Sequence, residues 1–259
     1  MSETRVAFIA GAASRGIGFA TAKRFLADGW ACMLFDRNEA TAAQRMEELS
    51  AEERGRTEFV FGDITVQADI ERALDRCLEK HGRVDAVYNG AGWMGGMSAA
   101  ADTDFEEAAQ VIEVNLTGAL MLSVVFAKRM AVQGGGTIVN TSSIAAQLAG
   151  SGPVAYSVAK AGVELLTKFL AKDFSRYGVR FVTVAPGWVE TDIDRETLKL
   201  PGMRPMAEKL HASKRIMQPE ETAEVVFFLC QPAARVINGS TVNVDDGFSG
   251  FKEGEVVLV

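Results

Sequence analysis

The sequence predicts an α/β fold, a doubly wound parallel sheet of about seven strands with helices on both faces. Three observations predict it. Short apolar runs alternate with longer stretches of helical period along nearly the whole chain. The runs are continuously apolar, as strands buried on both faces require. A glycine-rich turn joins the first run to the first helical stretch.

The elements follow in order. The first strand is expected at 6–10, VAFIA, then the turn GAASRGIG and a helical stretch at 20–28. Strands at 31–36 and 58–62 enclose a helical stretch at 41–53, and another follows at 69–81. A strand at 84–89 precedes a long helical stretch at 105–133, and a strand at 137–142 precedes one at 156–177. Strands at 180–185 and 241–244 complete the set. Most strands are β-branched or aromatic and close on Gly, Asp or Asn. Strand, helix, strand in repetition means parallel strands joined by right-handed crossovers. No linker composition or fixed repeat divides the chain, so residues 1–259 are expected to form a single domain. One irregular segment, 189–214, contains Pro201, Gly202, Met203, Pro205 and Met206. It reads either as a lid or binding loop, or as a surface excursion with its own short helices.

Composition narrows the function. The 259 residues carry 27 basic and 34 acidic side chains, a net charge of −7, with no basic run to attract nucleic acid. Cys32, Cys77 and Cys230 are scattered, which suits neither a disulfide framework nor a zinc site, and no metal is expected. The opening MSETRVAFIAG lacks the pattern of a signal peptide, and no apolar run approaches the ~20 residues of a membrane span. A cytoplasmic location is therefore the expectation.

The turn carries the first chemistry. Gly11, Gly16 and Gly18, with Ser14, Arg15 and Ile17 between them, lead directly into a helix. Glycine permits the close approach a diphosphate needs, and a helix N-terminus offers unpaired N–H groups and partial positive charge. Strand, turn and helix stand in the order a dinucleotide site requires. Asp36 ends the second strand 18 residues after Gly18, near the spacing of the acid that binds an adenosine ribose. A carboxylate there accepts from both ribose hydroxyls and repels a 2′-phosphate, which favours NAD. Arg15 and Arg37 could meet such a phosphate, which keeps NADP open.

The second chemistry lies in Tyr156-Ser157-Val158-Ala159-Lys160, which places Tyr156 and Lys160 on one helix face at i and i+4. A tyrosine of pKa ~10 is a poor base, and a nearby ammonium lowers that value toward neutrality. Such a pair can then exchange a proton. His81 and His211 lie far apart in the sequence and give a histidine relay little support.

Around that pair stand Ser143 in TIVNTSSIAA, 13 residues before Tyr156, Asn115 in VNLTG, and the strand end Asn89-Gly90-Ala91-Gly92. With GAASRGIG, YSVAK and Pro186-Gly187, these motifs occur in an order that resembles the short-chain dehydrogenase/reductase family nearly end to end. The resemblance implies a Rossmann-like fold and a nicotinamide-dependent oxidoreductase acting on an alcohol or ketone. It implies that Tyr156 is the acid/base, that Lys160 binds the nicotinamide ribose and tunes Tyr156, and that Ser143 holds the substrate oxygen. Asn115 would hold a water that links Lys160 to solvent. Asp63, with Ile64 after it, matches an adenine contact, although a cap or turn role would also explain an aspartate there. Asn89, Gly90 and Ala91 would flank the cofactor, and Pro186, Gly187, Val189 and Thr191 would cover the nicotinamide and its phosphate.

Four departures stand out. Ala10 replaces the usual Thr. Four residues rather than three separate Gly11 from Gly16, which predicts a bulge near the adenosine phosphate. Gly90 replaces Asn, and Asp246 replaces Gly in the last turn. The substrate pocket is expected among Trp93, Met94, residues 147–153, Trp188 and the segment after Thr191. Their apolar character points to an uncharged secondary alcohol, polyol or ketone. The alternatives are an NADP-dependent 3-oxoacyl-thioester reductase and a non-catalytic dinucleotide sensor. The two long helical stretches carry more apolar surface than one sheet face needs, and with the resemblance this predicts a homotetramer, or failing that a dimer.

Overall fold

The computed structural model describes residues 4–149 and 153–250. Its strands are β1 (Val6–Ala10), β2 (Ala31–Asp36), β3 (Thr57–Phe61), β4 (Ala86–Asn89), β5 (Gly136–Thr141), β6 (Val179–Pro186) and β7 (Ser240–Val244). They form one sheet in the order β3-β2-β1-β4-β5-β6-β7, with every neighbouring pair parallel. Ala10 pairs with Phe35 on one side and with Asn89 on the other. The chain thus winds outward from β1 in two directions. The reversal opens a crevice at the carboxyl ends of β1 and β4, where doubly wound sheets bind ligands.

The helices are α1 (Ile17–Ala27), α2 (Glu39–Glu47), α3 (Ala51–Gly55), α4 (Gln67–His81), α5 (Phe105–Ile112), α6 (Gly118–Gln133), α7 (Val154–Phe174), α8 (Asp192–Lys199), α9 (Met203–Leu210) and α10 (Pro219–Leu229). Two cores lie on opposite sheet faces. Phe8, Met33, Phe126 and Phe181 fill one, and Ile9, Leu34, Phe25 and Phe227 fill the other. Alternation along β1 sends Phe8 to the first and Ile9 to the second. Each such buried side chain contributes about 1.5–3 kcal/mol. Ring packing reinforces both layers, with centroids 4.3 Å apart for Phe8–Phe126 and 5.2 Å for Phe25–Phe227.

Several expectations need correction. The stretch 41–53 is two helices, because Ser50 restarts the second. Its Oγ accepts the Glu53 N–H at 3.2 Å while the Glu53 carboxylate accepts the Ser50 N–H at 2.8 Å. Of the two readings of 189–214, the one with its own short helices is observed, since the segment holds α8 and α9. Leu198, Ala207 and Ile216 form a small core there, and the half-buried Trp188 packs against it. The run Val225 to Leu229 is apolar throughout, so its helix, α10, escaped the periodicity reading. Its signal was Pro219 in the first turn and Glu221, whose carboxylate accepts the Gln218 N–H at 2.8 Å. Residues 150–152 of the expected pocket loop lie outside the described residues.

The stretch 105–133 is continuous but not uniform. Between α5 and α6, Glu113–Thr117 forms a wider π-type turn in which the Gly118 N–H reaches back to Glu113 O. This run is also long and apolar enough to cross a membrane by length and composition, with hydropathy 1.6, contrary to the expectation from the sequence. In the fold it lies along the sheet. Leu122, Phe126 and Met130 are fully buried, and the polar Asn115 and Ser123 point inward with them.

Candidate active site

The glycine turn is shaped by close backbone contacts. Gly11 has φ +75°, and a Cβ on it would lie 2.6 Å from Ala91 N and Gly90 C. At Gly18 a Cβ would fall 2.1 Å from Gly11 O, so only glycine lets α1 begin against the turn. Gly16 differs, because a Cβ there would make only ordinary contacts, the nearest at 3.4 Å to Ser14 Oγ. Its missing side chain leaves a cradle over the start of α1. That helix has no side-chain cap and no acid in its first turn. Its N–H groups therefore stay available to an anion.

The additional residue does not bulge at Ala12 or Ala13. Both are buried, while Ser14 and Arg15 are exposed. Folding inward brings the Ala13 N–H to Asp36 Oδ2 at 2.9 Å, and Asn38 N–H donates to Oδ1 at 3.1 Å. A carboxylate has about four lone-pair sites, so Asp36 keeps acceptor capacity for a ribose. It lines a cleft of ≈ 350 Å³ together with Gly11, Ser14, Arg37, Asp63 and Ile64. Arg15 and Arg37 each face a carboxylate. Arg15 lies 3.9 Å from Glu48, and Arg37 lies 3.7 Å from Asp63. Both arginines are solvent-exposed, so the pairs are weak. Asp63 also holds a turn, its Oδ1 accepting the Thr65 N–H at 2.9 Å and hydroxyl at 2.7 Å. The turn role and a place on the cleft wall thus coexist.

At the end of β4, Asn89 Nδ2 donates to Asn140 Oδ1 at 3.3 Å and braces β4 against β5. Gly90, in place of the usual Asn, has a steric reason. A Cβ there would lie 2.6 Å from Cε1 of the buried Tyr88. Gly90 and Ala91 line the cleft. In the last turn Asp246 tolerates φ +48°, and its carboxylate accepts the Ser213 N–H at 2.8 Å.

Asn115, Ser143, Tyr156 and Lys160 come together at the carboxyl ends of β4 and β5. The π-type turn directs Asn115 onto the Trp93 backbone. Its Nδ2 donates to Trp93 O at 2.6 Å and to Val111 O at 2.8 Å, and its Oδ1 accepts the Trp93 N–H at 3.3 Å. A Cβ on Gly92 would touch both Asn115 Oδ1 and Lys160 Nζ, at 2.9 and 3.4 Å. Lys160 is 3% exposed, donates to Thr141 O at 2.9 Å, and has its Nζ 5.4 Å from the Tyr156 ring centre. Burial lowers its pKa to about 8. Ser143 Oγ accepts the Ala145 N–H at 3.2 Å and hydrogen-bonds toward Tyr156.

The Tyr156 phenol runs against the expectation from its spacing. Its pKa is pushed up, first by burial and then by the charge of Asp194, while Ser143 pulls it partly back. The Lys160 ammonium, turned to Thr141 O, does not reverse this. Tyr156 is therefore a protonated donor at neutral pH.

Beyond β6, Gly187 N–H donates to Val244 O at 3.0 Å, and Val189 is bridged to Met217. This anchors Pro186, Gly187, Val189 and Thr191 over the sheet edge. Asp192 and Asp194 escaped the sequence reading, which met His211 only as a poorly supported relay. Asp192 clasps the glycine turn, accepting the Arg15 N–H at 2.7 Å and returning its own N–H to Arg15 O at 3.0 Å. His211 is fully buried, with Nδ1 2.9 Å from Ala207 O and Nε2 accepting the Trp188 N–H at 3.2 Å. It is not a relay but a tie between α9 and the loop after β6. Asp194 accepts the Thr191 hydroxyl at 3.1 Å, and its charge raises the Tyr156 pKa. Short-range patterns carry no signal for such partners, since 177 residues separate Arg15 from Asp192.

Comparisons with known proteins show the family to which this fold belongs. A family model described as Enoyl-(Acyl carrier protein) reductase matches residues 11–249. The chain is 33% identical over 256 residues to 3beta-hydroxysteroid dehydrogenase 2 of Eggerthella lenta, covering 95% of each. It is 33% identical over 255 residues to a 3-oxoacyl-[acyl-carrier-protein] reductase of Synechocystis, covering 95% of this chain and 98% of that one. The crystal structure of levodione reductase matches with a TM-score of 0.89 at 30% identity, over 95% of this chain and 98% of that one.

Proposed function

The chain belongs to the short-chain dehydrogenase/reductase family, and from that premise we propose that it is an NAD(H)-dependent oxidoreductase of secondary alcohols, polyols or ketones with Tyr156 as its acid/base. The family makes it a nicotinamide-dependent oxidoreductase acting on hydroxyl or keto groups. The finer reading rests chiefly on one observation. Asp36 lines a cleft that extends to Gly92 and Trp93, and the Lys160 ammonium stands against Gly92 with Tyr156 and Ser143 beside it.

The residues fit a dinucleotide. The cradle above Gly16 and the open start of α1 suit its diphosphate, with Gly11, Ser14, Arg15, Ile17 and Gly18 shaping the turn. Asp36 takes the adenosine ribose, with Arg37 beside it. Asp63 and Ile64 border the adenine, and Asn89, Gly90 and Ala91 support the middle of the path. Lys160 holds the nicotinamide ribose, and Pro186, Gly187, Val189 and Thr191 cover the nicotinamide. When bound, the nicotinamide supplies or accepts the hydride. The protein supplies the proton. In reduction the Tyr156 O–H donates to the carbonyl oxygen while Ser143 holds that oxygen in place. In oxidation the phenol must first release its proton, past Lys160 toward solvent, before the same oxygen can take the proton of the alcohol. Asn115, fixed on Trp93, holds the water that leads from Lys160 toward solvent. All of these residues belong to one domain spanning 1–259, with 189–214 as the substrate segment, and a cytoplasmic location suits such an enzyme.

Titration of the purified protein with NADH and NADPH, read by fluorescence, tests this. Preference for NADH, coupled to turnover of a secondary alcohol, is the expected result. NADPH preference would favour a second reading, a 3-oxoacyl-thioester reductase. That reading draws on the Synechocystis relative's name and the exposed Arg15.

We also infer a homotetramer. Leu120 and Val132 on α6, and Val158, Leu165 and Phe169 on α7, are exposed, as is Phe105 at 84%. Apolar surface of this extent suits a symmetric partner. Sedimentation of a tetramer is expected in analytical ultracentrifugation, and a stable monomer would refute it.

A further inference from the structure

Ser143 stands just outside the sheet. Ser142, one residue past β5, still donates its N–H to Val184 O at 2.8 Å, and a single tight helical turn, Ile144–Ala146, then follows Ser143. The turn closes on itself, with the Ala146 N–H on Ser143 O and the Gln147 N–H on Ile144 O, each at 2.9 Å. Hydrogen bonds in such a turn are poorly aligned, so the placing of Ser143 depends on side-chain ties.

Those ties meet at one carboxylate. Glu164 lies on α7, four residues after Lys160 and eight after Tyr156. Its Oε1 accepts the hydroxyl of the buried Ser142 at 3.1 Å and the Gln147 side-chain N–H at 2.9 Å. One donor precedes Ser143 and the other follows it. The Ser142 hydroxyl also donates to Lys160 O at 3.0 Å, so its one proton is shared between two points on α7. Gln147 is braced from the other side by Asn243 on β7. The two amides exchange hydrogen bonds, Gln147 Nε2 to Asn243 Oδ1 at 3.0 Å and Asn243 Nδ2 to Gln147 Oε1 at 2.9 Å.

Resting on the proposed role of Ser143, we propose that Glu164 is a positioning residue of this site. It clamps the turn that carries Ser143 onto the helix that carries Tyr156 and Lys160, and Gln147 is its grip on the far end of that turn. Ser143 and Tyr156 must address the same substrate oxygen, and a misplacement on the order of 1 Å can cost about 10²-fold in rate. Glu164 acts on that rate through Ser143 and not on the substrate itself.

The test measures kcat, KM, NADH affinity and thermal unfolding of variants, using the fastest of 2-butanol, 2,3-butanediol and cyclohexanol. Glu164→Ala is expected to lower kcat about tenfold, less than a full misplacement because Asn243 and Lys160 O still hold the turn. NADH affinity and the unfolding temperature are expected to stay near the wild-type values. Glu164→Gln is expected to remain within roughly threefold of wild type, since an amide oxygen still accepts both donors without the charge. Ser143→Ala alone is expected to cost about 10²- to 10³-fold in kcat. In that background Glu164→Ala is expected to cost nothing further, because the clamp has no hydroxyl left to place. A further loss there, or wild-type turnover in Glu164→Ala, would overturn the inference. So would a joint fall in kcat, NADH affinity and unfolding temperature, which marks a merely structural role. Should Glu164→Ala not fold, Gln147→Ala releases the far end of the turn and carries the same test. Undiminished turnover in Ser143→Ala would instead overturn the role of Ser143, and this inference with it.

Discussion

Tyr156→Phe is expected to reduce turnover roughly 10²- to 10⁴-fold, the contribution of one positioned proton donor, while NADH binding stays near the wild-type value. The ring that packs beside Lys160 is retained, and only the hydroxyl is lost. No neighbour replaces it. Ser143 already accepts from the Ala145 N–H, and the Lys160 ammonium is 5.4 Å from the ring centre and directed to Thr141 O. Steady-state rates on the best alcohol of a panel, beside a fluorescence titration with NADH, make the measurement. Loss of binding together with turnover would mean that Tyr156 holds the structure rather than the proton. Because burial and Asp194 keep the phenol protonated, carbonyl reduction should need no prior proton uptake at neutral pH.

The second large effect is expected from Gly18→Ala. Its Cβ would lie 2.1 Å from Gly11 O and 2.8 Å from Gly11 C, backbone atoms of a turn that is itself wedged against Gly90 and Ala91. Either α1 or the turn must move, and overpacking of this kind costs about 1–3 kcal/mol or more. The shift would also displace the N–H groups that meet the diphosphate, with a loss of NADH affinity on the order of 10²-fold from two weakened charge-assisted bonds. Gly16→Ala provides the contrast. Its Cβ meets nothing closer than 3.4 Å, so the fold should keep its stability while NADH affinity drops. Thermal unfolding and NADH titration of both variants decide the matter. Equal behaviour of the two would show that the turn is not built by the contact between Gly18 and Gly11.

Much of this was legible beforehand. Strands declare themselves by short apolar runs and helices by period, so the expected strands match the observed ones to within one or two residues. The glycine turn, Asp36, and the Tyr156–Lys160 pair are short-range patterns that survive without knowledge of packing. Misreadings arose where local pattern and tertiary role part. The run VVFFL in α10 has the composition of a strand, yet Pro219 and Glu221 start a helix there. The π-type turn at Glu113–Thr117 breaks no periodicity that a sequence shows, yet it places Asn115 on Trp93.

The sequence by itself determined the fold class, the order of the strands, the glycine-rich turn and the placing of Tyr156 and Lys160 on one helix face, because each depends on residues near one another along the chain. Only the tertiary structure decided that Tyr88 requires Gly90, that Asp192 clasps Arg15 across 177 residues, and that the charge of Asp194 acts on Tyr156. It also decided the direction of the Tyr156 pKa, which the i, i+4 lysine had suggested would fall. Desolvation and charge act through space over a few ångströms. Their sum at any atom is set by which distant segments fold against it.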